Sequence, residues 1–83
     1  MFWRFADELY RLARRVMEET NAHIGISMHE NGFRIWIQDN GYDKNGKYDG
    51  SYGIHKEELL QEITIENYEA AREHLERLLK ENV

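Results

Sequence analysis

Two runs of alternating apolar and polar residues face each other across an Asn-Gly pair. The first is His23-Ile24-Gly25-Ile26-Ser27-Met28-His29-Glu30 and the second is Phe33-Arg34-Ile35-Trp36-Ile37-Gln38. Period-two alternation marks a strand with one buried face, and Asn-Gly between two such runs is the strongest short-range hairpin signal. A two-residue turn at Asn31-Gly32 would pair Glu30 with Phe33, Met28 with Ile35 and Ile26 with Ile37. Ile24, Ile26, Met28, Phe33, Ile35 and Ile37 then share one face. His23, Gly25, Ser27, His29, Arg34, Trp36 and Gln38 take the other. A slip of one residue would scramble both sets. Trp36 is expected to lie diagonally over Gly25, where no side chain competes for space, with nothing obvious covering that face.

The flanking segments change period. Phe2, Phe5, Leu9, Leu12, Ala13 and Val16, with Ala6 and Met17 beside them, recur at helical spacing and predict a helix over 2–20. Arg4–Glu8 and Asp7–Arg11 fall at i,i+4 on its wet side. Residues 39–50 form a polar turn region rich in Gly, Asn and Asp. A weaker third strand is expected over 48–54, and 55–62 suits either a helical turn or an alternating strand. Thr64 is a candidate N-cap for a final helix running to about Lys80, with Tyr68, Ala71, Leu75, Leu78 and Leu79 as its buried stripe. The pattern predicts one domain over 1–83 of the α+β class. Its order is α-β-β-(β)-α, in two layers, with an antiparallel sheet covered on one face by the N- and C-terminal helices.

Composition narrows the function. Eighty-three residues support one modest core. No cysteine is present, which removes disulfides, thiolate metal sites and thiol nucleophiles. The opening Met-Phe-Trp-Arg-Phe-Ala-Asp-Glu-Leu carries acids where a signal peptide would be apolar, and no run suits a membrane span. A cytoplasmic protein with no membrane partner is the expectation. The formal net charge is −5, and residues 54–83, with four basic and eight acidic side chains, hold −4 of it. A phosphate-binding protein usually shows a net basic surface. Here only Arg4, Arg11, Arg14 and Arg15 on the first helix suggest one, so nucleic acid is an unfavoured partner.

Little catalytic chemistry is visible. Asp43, Asn45, Gly46 and Asp49 match positions 3, 5, 6 and 9 of a calcium loop, but positions 1 and 12 would be Gly41 and Tyr52, without the strongest oxygen ligands. A solvated turn is the simpler account. His23, His29, His55 and His74 show no metal spacing and are expected at the surface. His23 and His29 would lie roughly 20 Å apart along one strand. Ser27 and Ser51 sit in no nucleophile motif, and no glycine loop suits phosphates. No enzyme, cofactor or metal site is expected.

What remains is surface. His29, Arg34 and Trp36 form a candidate contact patch on the sheet, since Trp and Arg anchor interfaces. Glu62, Glu66, Glu69, Glu73 and Glu76 form an acidic stripe on the last helix. That stripe is either a solvated face, with Glu73–Arg77 and Glu76–Lys80 pairs, or a surface for a basic partner. The layout of helix, hairpin, possible strand and helix is similar to a double-stranded-RNA-binding domain. That resemblance implies a basic start to the last helix, where this chain has Thr64-Ile65-Glu66-Asn67-Tyr68-Glu69. In size, acidity, absence of cysteine and compact α/β layout the chain also resembles small phage-encoded inhibitors of the anti-CRISPR type, a group without a common motif.

These features predict a non-enzymatic protein-binding module. Its most concrete form is an inhibitor that occludes a basic nucleic-acid-handling protein. His29, Arg34 and Trp36, or Glu66, Glu69, Glu73 and Glu76, would make the contact. The alternatives are a homo-oligomer joined through the exposed sheet face or a strand edge, and a weak nucleic-acid binder using the first helix.

Overall fold

The computed structural model describes residues 2–81. Its elements are α1 (Phe2–Glu19), β1 (His23–His29), β2 (Gly32–Gln38), β3 (Gly50–His55) and α2 (Gln61–Glu81), with a 3₁₀ turn at Glu58–Leu60 before α2. The strands form one antiparallel sheet in the order β1-β2-β3. The fold is α+β, in the order α-β-β-β-α, with both helices packed on the sheet. The third strand is present and ends at His55, and of the ambiguous 55–62 the helical alternative is the one observed, with a 3₁₀ turn at Glu58–Leu60 and α2 already begun at Gln61.

The hairpin keeps the expected faces but not the expected pairing. His29 pairs with Gly32, Met28 with Phe33, Ile26 with Ile35, Gly25 with Trp36 and Ile24 with Ile37. The ladder is therefore displaced by two residues, an even number, so every side chain keeps its side. Glu30 and Asn31 make the turn, and Asn31 has no positive φ. Gly32 is drawn into the sheet instead, opposite both His29 and His55. It needs to be glycine for a tertiary reason. Its φ is +152°, and a Cβ there would stand 2.1 Å from the Ile54 carbonyl oxygen.

Leu9, Val16, Ile35, Ile37, Ile54, Leu75 and Leu78 are fully buried between the layers. Each such side chain contributes about 1.5–3 kcal/mol relative to exposure, so this seam dominates the stability. Phe5 stacks on Tyr68 at a 4.1 Å centroid distance and joins α1 to α2. Phe2 meets Phe33 edge-on at 6.0 Å and joins α1 to the hairpin. Thr64 is not an N-cap. α2 begins three residues earlier, and the buried Thr64 hydroxyl accepts the His55 backbone N–H at 3.0 Å. Glu8 does not pair with Arg4; it accepts a hydrogen bond from the Tyr68 hydroxyl.

The turn region after β2 is closed by its own polar groups. Gln38 grips Asp43 with both ends of its amide, donating to the carbonyl at 2.9 Å and accepting the N–H at 3.3 Å. Asp43 accepts the Asn45 N–H at 2.9 Å, and Asp49 accepts the Asp39 N–H at 2.7 Å. The two acids weighed as calcium ligands thus accept backbone N–H bonds, as turn residues do.

Candidate interaction surfaces

Because both helices take one face of the sheet, the opposite face is open. β1 and β2 place His23, His29, Arg34 and Trp36 there by strand alternation. Trp36 is half-buried. It lies directly opposite Gly25 rather than diagonally, with its Cε3 3.4 Å from where a Gly25 Cβ would stand. The turn region adds two rings whose place on this face the sequence does not show. Tyr48 packs near Trp36 at 6.3 Å and Tyr42 meets His23 edge-on at 5.1 Å, and they remain 53% and 68% exposed. Tyr42 sits in a segment whose composition signals only a turn, and Tyr48, expected to open the third strand, instead precedes it, so nothing local announces where the two rings return. Arg34 is exposed, and its Nη1 donates to the Ser51 hydroxyl at 3.1 Å across the β2–β3 pair. His29 lies at the hairpin end, where its Nδ1 accepts the Asn31 N–H at 3.3 Å.

The glutamates occupy the other side of the molecule. Glu66, Glu69, Glu73 and Glu76 are exposed on the outer face of α2, away from the sheet. The two candidate patches therefore lie on opposite faces of a two-layer domain and cannot serve one contact. Glu76 pairs with Arg72 at 3.9 Å. Among the described residues Glu62, Glu66, Glu69 and Glu73 make no ion pair, and Arg77 instead faces Glu81 at 3.6 Å and Asp39 at 3.5 Å. Beside this row, between the helices, runs an open groove of about 790 Å³ lined by Arg4, Asp7, Glu8, Arg11, Leu12, Arg15 and Glu76. Its charges are mixed, so it forms no single-sign field.

His74 is a correction. It was expected at the surface, but it is buried at the junction of α2, β3 and the turn region. Its Nδ1 lies 2.8 Å from the Tyr52 hydroxyl and its Nε2 lies 2.7 Å from Asp39 Oδ1. Gly50 makes room for the ring, since a Cβ there would stand 2.6 Å from Nδ1. Burial pushes the Tyr52 hydroxyl above its ordinary pKa, and Asp39 adds to the effect against the opposing Arg77 charge. Burial likewise raises Tyr68, helped by its hydrogen bond to Glu8 and opposed by Arg72. Neither phenol is prepared to act as a phenolate. With both imidazole nitrogens engaged, His74 is a cross-brace between α2 and the turn region.

Among the described residues no cluster of three His, Asp or Glu side chains is placed to hold a metal, and no helix is long and apolar enough to cross a membrane. No family model matches the chain, and neither a curated protein nor a solved structure matches it significantly.

Proposed function

We propose that the protein is a non-enzymatic binding module that occludes a basic, nucleic-acid-handling partner with the outer face of α2. The observation that carries this is the unneutralised row Glu62, Glu66, Glu69 and Glu73 on a helix whose arginines are already paired. Successive residues rise about 1.5 Å, so the row presents four carboxylates over roughly 16 Å. A cationic channel built for phosphates meets comparable charge spacing there, and the same Lys and Arg groups bind both. The engagement of both His74 nitrogens and the raised Tyr52 hydroxyl support a role without catalysis. A cytoplasmic setting, where such partners work, agrees with a chain lacking cysteine.

The exposure of Tyr42 and Tyr48 beside Trp36 and Arg34 favours a second reading, in which the partner docks on the open sheet face through aromatic anchors. One experiment separates the two. Proteins captured from source cells by the immobilised domain are compared for wild type, E66K/E69K/E73K and W36A/Y48A. The first reading expects capture to be lost in the charge-reversal variant, kept in the aromatic one, and competed by added DNA. Capture unaffected by charge reversal would overturn it.

A further inference from the structure

The two borders of the sheet are treated differently. The C-terminal half of the β3 border is covered by α2. Asn67 Nδ2 donates to the Gly53 carbonyl at 2.8 Å, and the Thr64 hydroxyl engages the N–H of His55 at 3.0 Å and its carbonyl at 3.4 Å. The β1 border has no such cover. Among the described residues no hydrogen bond reaches the backbone of residues 24–28 from outside the β1–β2 ladder. The ladder shows which groups are left over. Asn31 accepts from the Lys56 N–H on the β3 side, so the odd residues of β2 turn to β3 and the even ones to β1. The even residues pair with His23, Gly25, Ser27 and His29. The N–H and C=O groups of Ile24, Ile26 and Met28 therefore point outward.

Native proteins usually guard such a border with charge, proline or a bulge. β1 has none of these; it reads His-Ile-Gly-Ile-Ser-Met-His and pairs with β2 without interruption. The same string is close to palindromic in chemistry. Paired antiparallel with itself about Ile26, it sets Ile24 against Met28, Gly25 against Ser27 and His23 against His29. Apolar residues meet apolar ones on the inner face, and small residues meet small ones on the outer face. A twofold contact demands this self-complementarity, because one patch must fit its own copy.

The helix above this border is also dressed for company. Phe5 and the groove at Leu12 mark the flank of α1 that meets α2. Tyr10 and Met17, seven residues apart, share the opposite flank, while Trp3 at the head of the helix is covered by Lys56, whose ammonium stands 4.9 Å from its ring. α2 packs on β3, so this flank looks out on the β1 side of the sheet. Tyr10 is 57% exposed, Met17 45%, and Met28 on β1 54%.

We infer that a second copy of this chain docks here, pairing β1 with β1 antiparallel about Ile26. The product is a continuous six-stranded sheet, with the Tyr10–Met17 flanks of the two α1 helices meeting above the junction. This contact leaves the α2 glutamates and the open sheet face free. It is independent of the proposed function and differs from assembly through Trp36.

Sedimentation of the full chain at micromolar concentrations tests the inference, together with amide hydrogen exchange at low and high protein concentration. The expected species is about twice the 10.0 kDa chain mass. The amides of Ile24, Ile26 and Met28 should slow at least tenfold as it forms, with the intervening residues unchanged. Y10E/M28K changes two exposed side chains and should be monomeric with an unchanged circular dichroism spectrum, whereas W36A/Y48A should remain dimeric. A wild-type chain that stays monomeric at 100 micromolar would overturn the inference. So would a dimer that survives Y10E/M28K, or one abolished by W36A/Y48A.

Discussion

His74 Nε2 lies 2.7 Å from Asp39 Oδ1, and through this bond α2 holds the segment that follows β2. The residues are 35 apart in sequence, and Tyr52 on β3 completes the bridge from the other ring nitrogen. Replacing His74 by Phe keeps an aromatic ring, slightly larger, but leaves a partly buried hydroxyl and a partly buried carboxylate without their partner. A loss of about 2–4 kcal/mol is expected in chemical denaturation, in keeping with a broken buried polar network. G50A should reproduce part of it, about 1–3 kcal/mol, by pushing a methyl group into the ring's place. A G50A protein as stable as wild type would show that the ring has room to move.

Gly25 and Gly32 face each other's strands but should answer differently to the same change. At Gly25 an added Cβ meets only Trp36 at 3.4 Å, an ordinary contact. G25A is expected to shift stability by no more than about 0.5 kcal/mol. At Gly32 the Cβ would strike the Ile54 carbonyl oxygen in a backbone conformation that alanine rarely adopts. G32A should cost roughly 2–4 kcal/mol or pull the β2–β3 ladder apart, which thermal melts and exchange of the β3 amides would report.

Alkaline pH should weaken the fold through two phenols. Tyr52 and Tyr68 hold their protons to higher pH in the folded chain than in the unfolded one, where the ordinary value is 10.0. Above that value the unfolded state releases protons that the folded state retains, so stability falls as pH rises. It is level below pH 10.0 as far as these groups are concerned, and declines up to their folded values. Y52F and Y68F should each flatten the decline when denaturation midpoints are compared at pH 8 and above pH 10, which is about where a free tyrosine titrates. Unchanged slopes in both would remove these residues as its source.

The seal on β3 can be opened. T64V/N67A removes the side chains that engage His55 and Gly53. A loss of about 1–3 kcal/mol is expected from the two hydrogen-bonding groups together. The variant should also gain light scattering at high concentration, since both sheet borders would then be open. Scattering equal to that of wild type would show that α2 shields the border by bulk alone.

Much of the architecture was legible because it is written locally. The alternation from His23 to Gln38 fixes which side chains share a face, and the spacing of Leu9, Ala13 and Val16 fixes the stripe of α1. The ladder's offset was not legible. Asn31-Gly32 reads as a turn on its own, and only β3 passing beside Gly32 shows why the glycine belongs inside the sheet. Thr64 has the composition of a cap, yet His55 claims its hydroxyl across the fold. His74 was misplaced for the same reason, since its partners lie 22 and 35 residues away and neither spacing carries a pattern. Of the candidate contacts, Trp36 and Arg34 were placed on the correct face by alternation alone. Tyr42 and Tyr48 join them by the path of a turn region that sequence does not encode in any period.

The side chains of Thr64 and Asn67 set a limit on size. A molecule with one joinable rim can add a single neighbour, and that addition consumes the rim on both. Crowding then yields pairs and stops. The chain can keep an unguarded strand without the hazard of endless fibres.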